Sequence, residues 1–156
     1  MKWAAFLLAL IAAIAGCGSD GPARDDSGRV TRAQEISLLD LETFDCFNDP
    51  EPDDLDEIER LEVLPCEQPH DNEVFHSFTL ADGPMPTQEE IFALAANQCF
   101  PAFDAFVGIE FEISALDIFP LTPRLEQWEG GHRTIHCVLF NLDLSELVGS
   151  ARGIAR

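Results

Sequence analysis

The sequence predicts an α+β domain: a small antiparallel sheet with one main helix and long loops, stapled by two disulfides. Three observations carry this. Strand-like runs of four to eight residues recur at 58–64, 73–80, 109–115 and 134–140, with clean alternation of apolar and polar residues at 109–115. Helical spacing is clearest after Thr87. Cys46, Cys66, Cys99 and Cys137 form an even set, which in an exported chain argues for disulfides.

Export is expected from the amino end. Met1-Lys2 is a short basic start, residues 3–14 are apolar, and the run closes on Ile14-Ala15-Gly16-Cys17 before turning polar. The apolar run is shorter than the roughly 20 residues a spanning helix needs, and it fits a signal peptide over residues 1–16. Its Ile-Ala-Gly-Cys end resembles a bacterial lipobox. That resemblance implies cleavage before Cys17, lipidation of the Cys17 thiol and attachment to the extracytoplasmic face of the cell membrane. Residues 17–35 are rich in Gly, Ser, Asp and Arg and are expected to be a flexible tether, with the folded domain at 36–156.

The chain has 156 residues, with 29 acidic against nine basic, and a formal net charge of −20. Its only lysine, Lys2, lies in the signal. Such a surface argues against nucleic acid as a partner, because counterion release rewards basic surfaces. It also argues against electrostatic adhesion to anionic lipid heads, so the membrane contact is assigned to the anchor on Cys17 alone.

The elements follow in order. Residues 36–47 give a first core segment, ending at the turn Asn48-Asp49-Pro50. Residues 49–57 form an acidic, proline-bearing loop. Residues 58–64 form a strand that runs into Pro65-Cys66, and a polar corner holds Pro69, His70, Asp71 and Asn72. In the next strand Val74, His76, Phe78 and Leu80 are expected on one face and Phe75, Ser77 and Thr79 on the other. Thr87 and Glu90 have the capping-box spacing. Ile91, Leu94, Ala95 and Cys99 continue the helix until Pro101, which is expected to end or restart it. A strand at 109–115, a loop with Pro120, Pro123 and Trp128, and a strand at 134–140 complete the domain. Cys99 closes the helix's buried stripe and Cys137 shares a strand face with Ile135 and Leu139. Spacing alone does not choose among three pairings; the sequential one, Cys46–Cys66 and Cys99–Cys137, is expected, each bridge stabilising by about 3–4 kcal/mol.

No catalytic motif stands out. There is no Gly-x-Ser-x-Gly and no Cys-x-x-Cys, and no cysteine is left over as a nucleophile. Cys66-x3-His70, with Cys46, His76 or His136-Cys137 in support, offers sulfur and imidazole. Thiolate pairs at zinc-finger spacing are missing, so disulfides are expected rather than a metal, and no cofactor. His70 is expected to brace the corner after Pro69, with a possible partner contact beside Trp128 and Arg133.

Several stretches together resemble a known family. They are Asp45-Cys46-Phe47-Asn48, Pro65-Cys66-Glu67-Gln68-Pro69-His70, Glu73-Val74-Phe75, then Cys99, Trp128, Gly131, Arg133, Cys137 and Gly149-Ser150. The chain resembles the bacterial septum-formation domain over roughly residues 38–153. That resemblance implies an exported or membrane-tethered module that contacts division or envelope proteins and has no catalytic activity. The alternatives are a small envelope enzyme acting on wall polymer or thiols, and a purely structural surface lipoprotein.

Overall fold

The structure is a computed structural model describing residues 21–50 and 59–156. The signal peptide, Cys17 and most of the acidic loop at 49–57 lie outside the described residues.

Six strands form one antiparallel sheet: β1 (Gln34–Ser37), β2 (Cys46–Phe47), β3 (Arg60–Leu64), β4 (Asn72–Thr79), β5 (Leu116–Leu121) and β6 (Thr134–Asn141). Their order across the sheet is β1-β3-β2-β4-β6-β5. The α-helices of the described residues are the main helix, α1 (Gln88–Val107), and a five-residue helix, α2 (Leu125–Glu129). No helix among the described residues is long and apolar enough to cross a membrane.

Strand periodicity splits the apolar residues of β6 between two cores. Cys137 and Leu139 face α1 and join Phe75, Ala95, Cys99, Phe103, Phe106 and Leu116. Val138 points to the opposite face, where Val74, Val63 and Phe47 meet Val30, Ile36 and Leu41. The fold is thus three layers: helix, sheet and the amino-terminal segment.

That third layer includes residues of the segment expected to be a tether. The described part of it, residues 21–35, is seated on the domain rather than free. Val30 is buried, Arg24 and Val30 form a β-bridge, and Gln34 and Glu35 already belong to β1. Composition hid this because one apolar side chain and one arginine do the holding. The Arg24 guanidinium grips the fully buried Asp45 with both terminal nitrogens, at 2.5 and 2.9 Å. This hydrogen-bonded pairing also raises the Arg24 pKa.

The helix begins as the sequence predicts. The Glu90 amide donates to Thr87 Oγ1 at 3.3 Å and the Thr87 amide donates to Glu90 at 2.8 Å. It does not stop at Pro101. It runs on to Val107 and ends at Gly108, whose φ of 89° only glycine adopts cheaply. Proline lacks the N–H that would bond the Asn97 carbonyl, but Phe103, Phe106 and Val107 lie beyond it and are all buried. Their burial outweighs one lost hydrogen bond.

Two strand expectations shift. Residues 109–115 do not form a strand: Phe111–Ile113 is a 3-10 turn, and Ile113 is 68% exposed. Asp104 captures the Phe111 amide at 3.0 Å, and Phe111 packs edge-on against Phe103. The strand lies downstream, in β5, and includes Pro120, a residue that reads as a loop proline in the sequence. A proline is tolerated there because β5 is an edge strand. In β4 the register shifts between Val74 and His76. This bulge brings Phe75 and Phe78 to the same helix-side core, where strict alternation had set them on opposite faces.

Candidate functional site

Two residues of β2 decide the site. Cys46 pairs in register with Leu64 on one side and Glu73 on the other, which places the Cys46 and Glu73 side chains on the helix face. Leu64 leads through Pro65 to Cys66, and the expected bridge forms, with Cys46 and Cys66 Cα atoms 5.3 Å apart. The second expected bridge, Cys99–Cys137, ties α1 to β6 with a Cα separation of 5.6 Å.

The corner after Cys66 is closed by the carboxyl-terminal strap. His70 and Leu147 exchange backbone hydrogen bonds at 3.0 and 2.7 Å, and the Gly149 amide donates to the Cys66 carbonyl at 2.7 Å. Gly149 has φ of 83°, which lets the strap turn back over the bridge. Ser150 Oγ and the Ala151 amide then donate to the two oxygens of Glu73, at 2.6 and 2.7 Å.

The result is a buried polar cluster. Cys46, His70 and Glu73 are all 0% exposed. Burial raises the Glu73 pKa, against the lowering pull of its Ser150 and Ala151 donors and of nearby His70. His70 Nδ1 lies 2.8 Å from the Gln68 carbonyl, which can only accept, so Nδ1 carries the proton. The other ring nitrogen, Nε2, is buried and has no hydrogen-bond partner. Cys46 Sγ, a His70 ring nitrogen and a Glu73 oxygen all lie within 4.8 Å of one another. His70 therefore braces the corner as expected, and it also leaves one nitrogen unused.

The expected grouping of His70 with Trp128 and Arg133 is not realised. His70 lies near the Asn72–Phe140 end of the β4–β6 ladder, and Arg133 lies beyond the Thr79–Thr134 end. Trp128 is buried, and its Nε1 donates to the Gly83 carbonyl at 3.0 Å. Arg133 lies over the indole, 4.1 Å from the ring centroid, and donates to the Trp128 carbonyl. An Asp82 carboxylate 3.6 Å away completes this latch between the β4–α1 loop and α2.

A second polar group was not singled out from the sequence. Thr43 Oγ1 donates to Ser77 Oγ at 2.8 Å, and Ser77 Oγ lies 2.8 Å from His136 Nδ1. Burial lowers the His136 pKa, with the Asp45 charge opposing. All three line an open cavity of about 350 Å³ with Leu41, Glu42 and Thr134. Ser77 and His136 are neighbours only through the β4–β6 register, so no local motif marks them.

Glu73, Ser150 and Gly149, which lie in the stretches the sequence singled out, meet here around the first bridge. No curated protein and no solved structure matches the chain. A family model described as septum formation matches residues 44–156, the span that holds both bridges, the His70 corner and the strap that covers it. The chain therefore belongs to the septum-formation family.

Proposed function

We propose that this protein is a lipid-anchored interaction module on the extracytoplasmic face of the cell membrane, contacting division or envelope-assembly proteins without catalysis. The observation that carries the proposal is the family match over residues 44–156. The Ile14-Ala15-Gly16-Cys17 end supplies the anchor, and two acyl chains hold where the acidic body is repelled by anionic lipid heads. The docking of Arg24 on Asp45 shortens the leash. An extended chain spans at most about 3.6 Å per residue, so the body sits within roughly 25 Å of the lipidated Cys17.

The test is a fluorescent fusion of the full chain compared with its Cys17→Ser variant. The expected outcome is mid-cell enrichment of the native form, and loss of acyl mass and of membrane association in the variant. A uniform peripheral signal would instead favour a purely structural surface lipoprotein. A second reading, a small envelope enzyme, is favoured by the Ser77–His136 hydrogen bond alone. Labelling of Ser77 by a fluorophosphonate, abolished by His136→Gln, would support it. Absence of labelling would leave the module.

A further inference from the structure

We propose that the corner becomes a closed metal site for zinc when the Cys46–Cys66 bridge is opened, with Cys46, Cys66, His70 and Glu73 as its four ligands. The inference stands apart from the anchoring and the septal role.

His70 is already held as a ligand histidine is held. Nδ1–H is spent on the Gln68 carbonyl, which fixes the tautomer and turns the Nε2 lone pair into the free donor. That nitrogen is buried without a partner, a costly arrangement in a protein interior. Glu73 is likewise pre-set. Ser150 and Ala151 fix both its oxygens from the strap, which is how outer contacts orient a ligating carboxylate. The Cys46 sulfur completes the three donors that lie within 4.8 Å. Cys66 supplies the fourth, because its sulfur is bonded to that of Cys46.

In the oxidised chain the two sulfurs share a covalent bond, and neither is a thiolate. A dithiol reductant changes this. It attacks one sulfur, passes two electrons and two protons to the bridge, and leaves as its own disulfide, so that Cys46 and Cys66 become thiols. Zinc then displaces both thiol protons to solvent and meets two thiolates, one imidazole and one carboxylate. That donor set fills a tetrahedron and leaves no open position, which marks a structural centre rather than a catalytic one. Donors around tetrahedral zinc sit roughly 3.3–3.8 Å apart, so the cluster must close by about 1 Å. The bridge therefore acts as a gate: oxidised, the corner is covalently stapled; reduced, it is stapled by the metal.

The second bridge offers nothing similar. Cys99 and Cys137 sit in the helix-side core, and among the described residues they belong to no cluster of three candidate ligands, His76 being the one imidazole opposite Cys137.

The test uses the full chain treated with a non-chelating phosphine in place of the dithiol, with thiol alkylation and mass spectrometry to confirm that Cys46–Cys66 alone has opened. Cobalt(II), then zinc(II), is added as the metal alone. The expected result is one metal per chain, with thiolate-to-cobalt charge transfer and tetrahedral d–d bands, and none before reduction. His70→Gln should weaken binding by more than the 10–100-fold typical of an outer contact. Cys66→Ser, which leaves one thiolate, should weaken the charge-transfer band. Three results would overturn the proposal: no metal bound after verified opening, equal binding by His70→Gln, or collapse of the fold on opening whether or not metal is present.

Discussion

Cys99–Cys137 lies in the helix-side core among Phe75, Phe103, Phe106 and Leu139, with His76 opposite Cys137 in the ladder. Cys46–Cys66 lies beside a buried histidine and a buried glutamate and under a strap of backbone donors. The same covalent bond is thus placed in an oily core at one end and in a polar pocket at the other. The contrast separates two uses of a disulfide. The first joins helix to sheet and shares its stabilisation with the packing around it. The second sits among groups that can answer to protons, electrons or metal, so its surroundings carry chemistry that the first lacks.

Paired serine substitutions break this comparison most forcefully. Cys99→Ser with Cys137→Ser removes a 38-residue closure, worth about 4 kcal/mol, and leaves hydroxyls in an apolar cluster at about 1–3 kcal/mol more. Cys46→Ser with Cys66→Ser removes a 20-residue closure, worth about 3 kcal/mol, but a hydroxyl at position 46 can donate to the unused His70 nitrogen and return about 1 kcal/mol. Denaturant unfolding should show the apolar pair to be the more damaging; equal losses would erase the distinction. Next comes the polar end's long-range support. Arg24→Met strands the buried Asp45 carboxylate and should cost about 3–5 kcal/mol in the same assay, with Asp45→Asn restoring part of it. A loss below about 1 kcal/mol, the range of a surface pair, would return residues 21–35 to the status of a tether.

The smallest effect sharpens the comparison through pH. Glu73 has a raised pKa in the folded chain because it is buried, with His70, Ser150 and the Ala151 amide facing it. The folded state therefore keeps its proton at a higher pH than the unfolded chain does. Stability is full below the ordinary carboxylate pKa of about 4.3 and falls as pH rises through the raised value. Glu73→Gln should flatten that part of the pH–stability curve. Identical curves for the two proteins would show that the carboxylate is not penalised by burial.

Much of this architecture was legible because it rests on local signals. Thr87 and Glu90 form their cap within one helical turn, and Cys137 announces its face through Ile135 and Leu139. What escaped depends on distant partners. The alternation at 109–115 is genuine, but Asp104, at the end of α1, draws Phe111 into a turn instead. Pro120 looks like a loop residue until its strand is known to lie at the sheet's edge. Arg24 looks like linker until Asp45 is known to be buried. Within the site, Cys46, Cys66 and His70 were visible as types in a short motif. Glu73 stood in a family-like stretch, but its role in the site did not show, because that role comes from Ser150 and Ala151, nearly 80 positions later.

That distance also imposes an order of events. A ribosome makes the amino end first, so Cys46 and Cys66, 20 positions apart, are both in the chain long before residues 147–151 exist. Until Ser150 and Ala151 are in place, Glu73 has only water to answer its charge, and the cleft beside it stays open to oxidants, chaperones and ions. The finished pocket is a late product of biosynthesis, sealed by a serine 77 positions after the glutamate it holds.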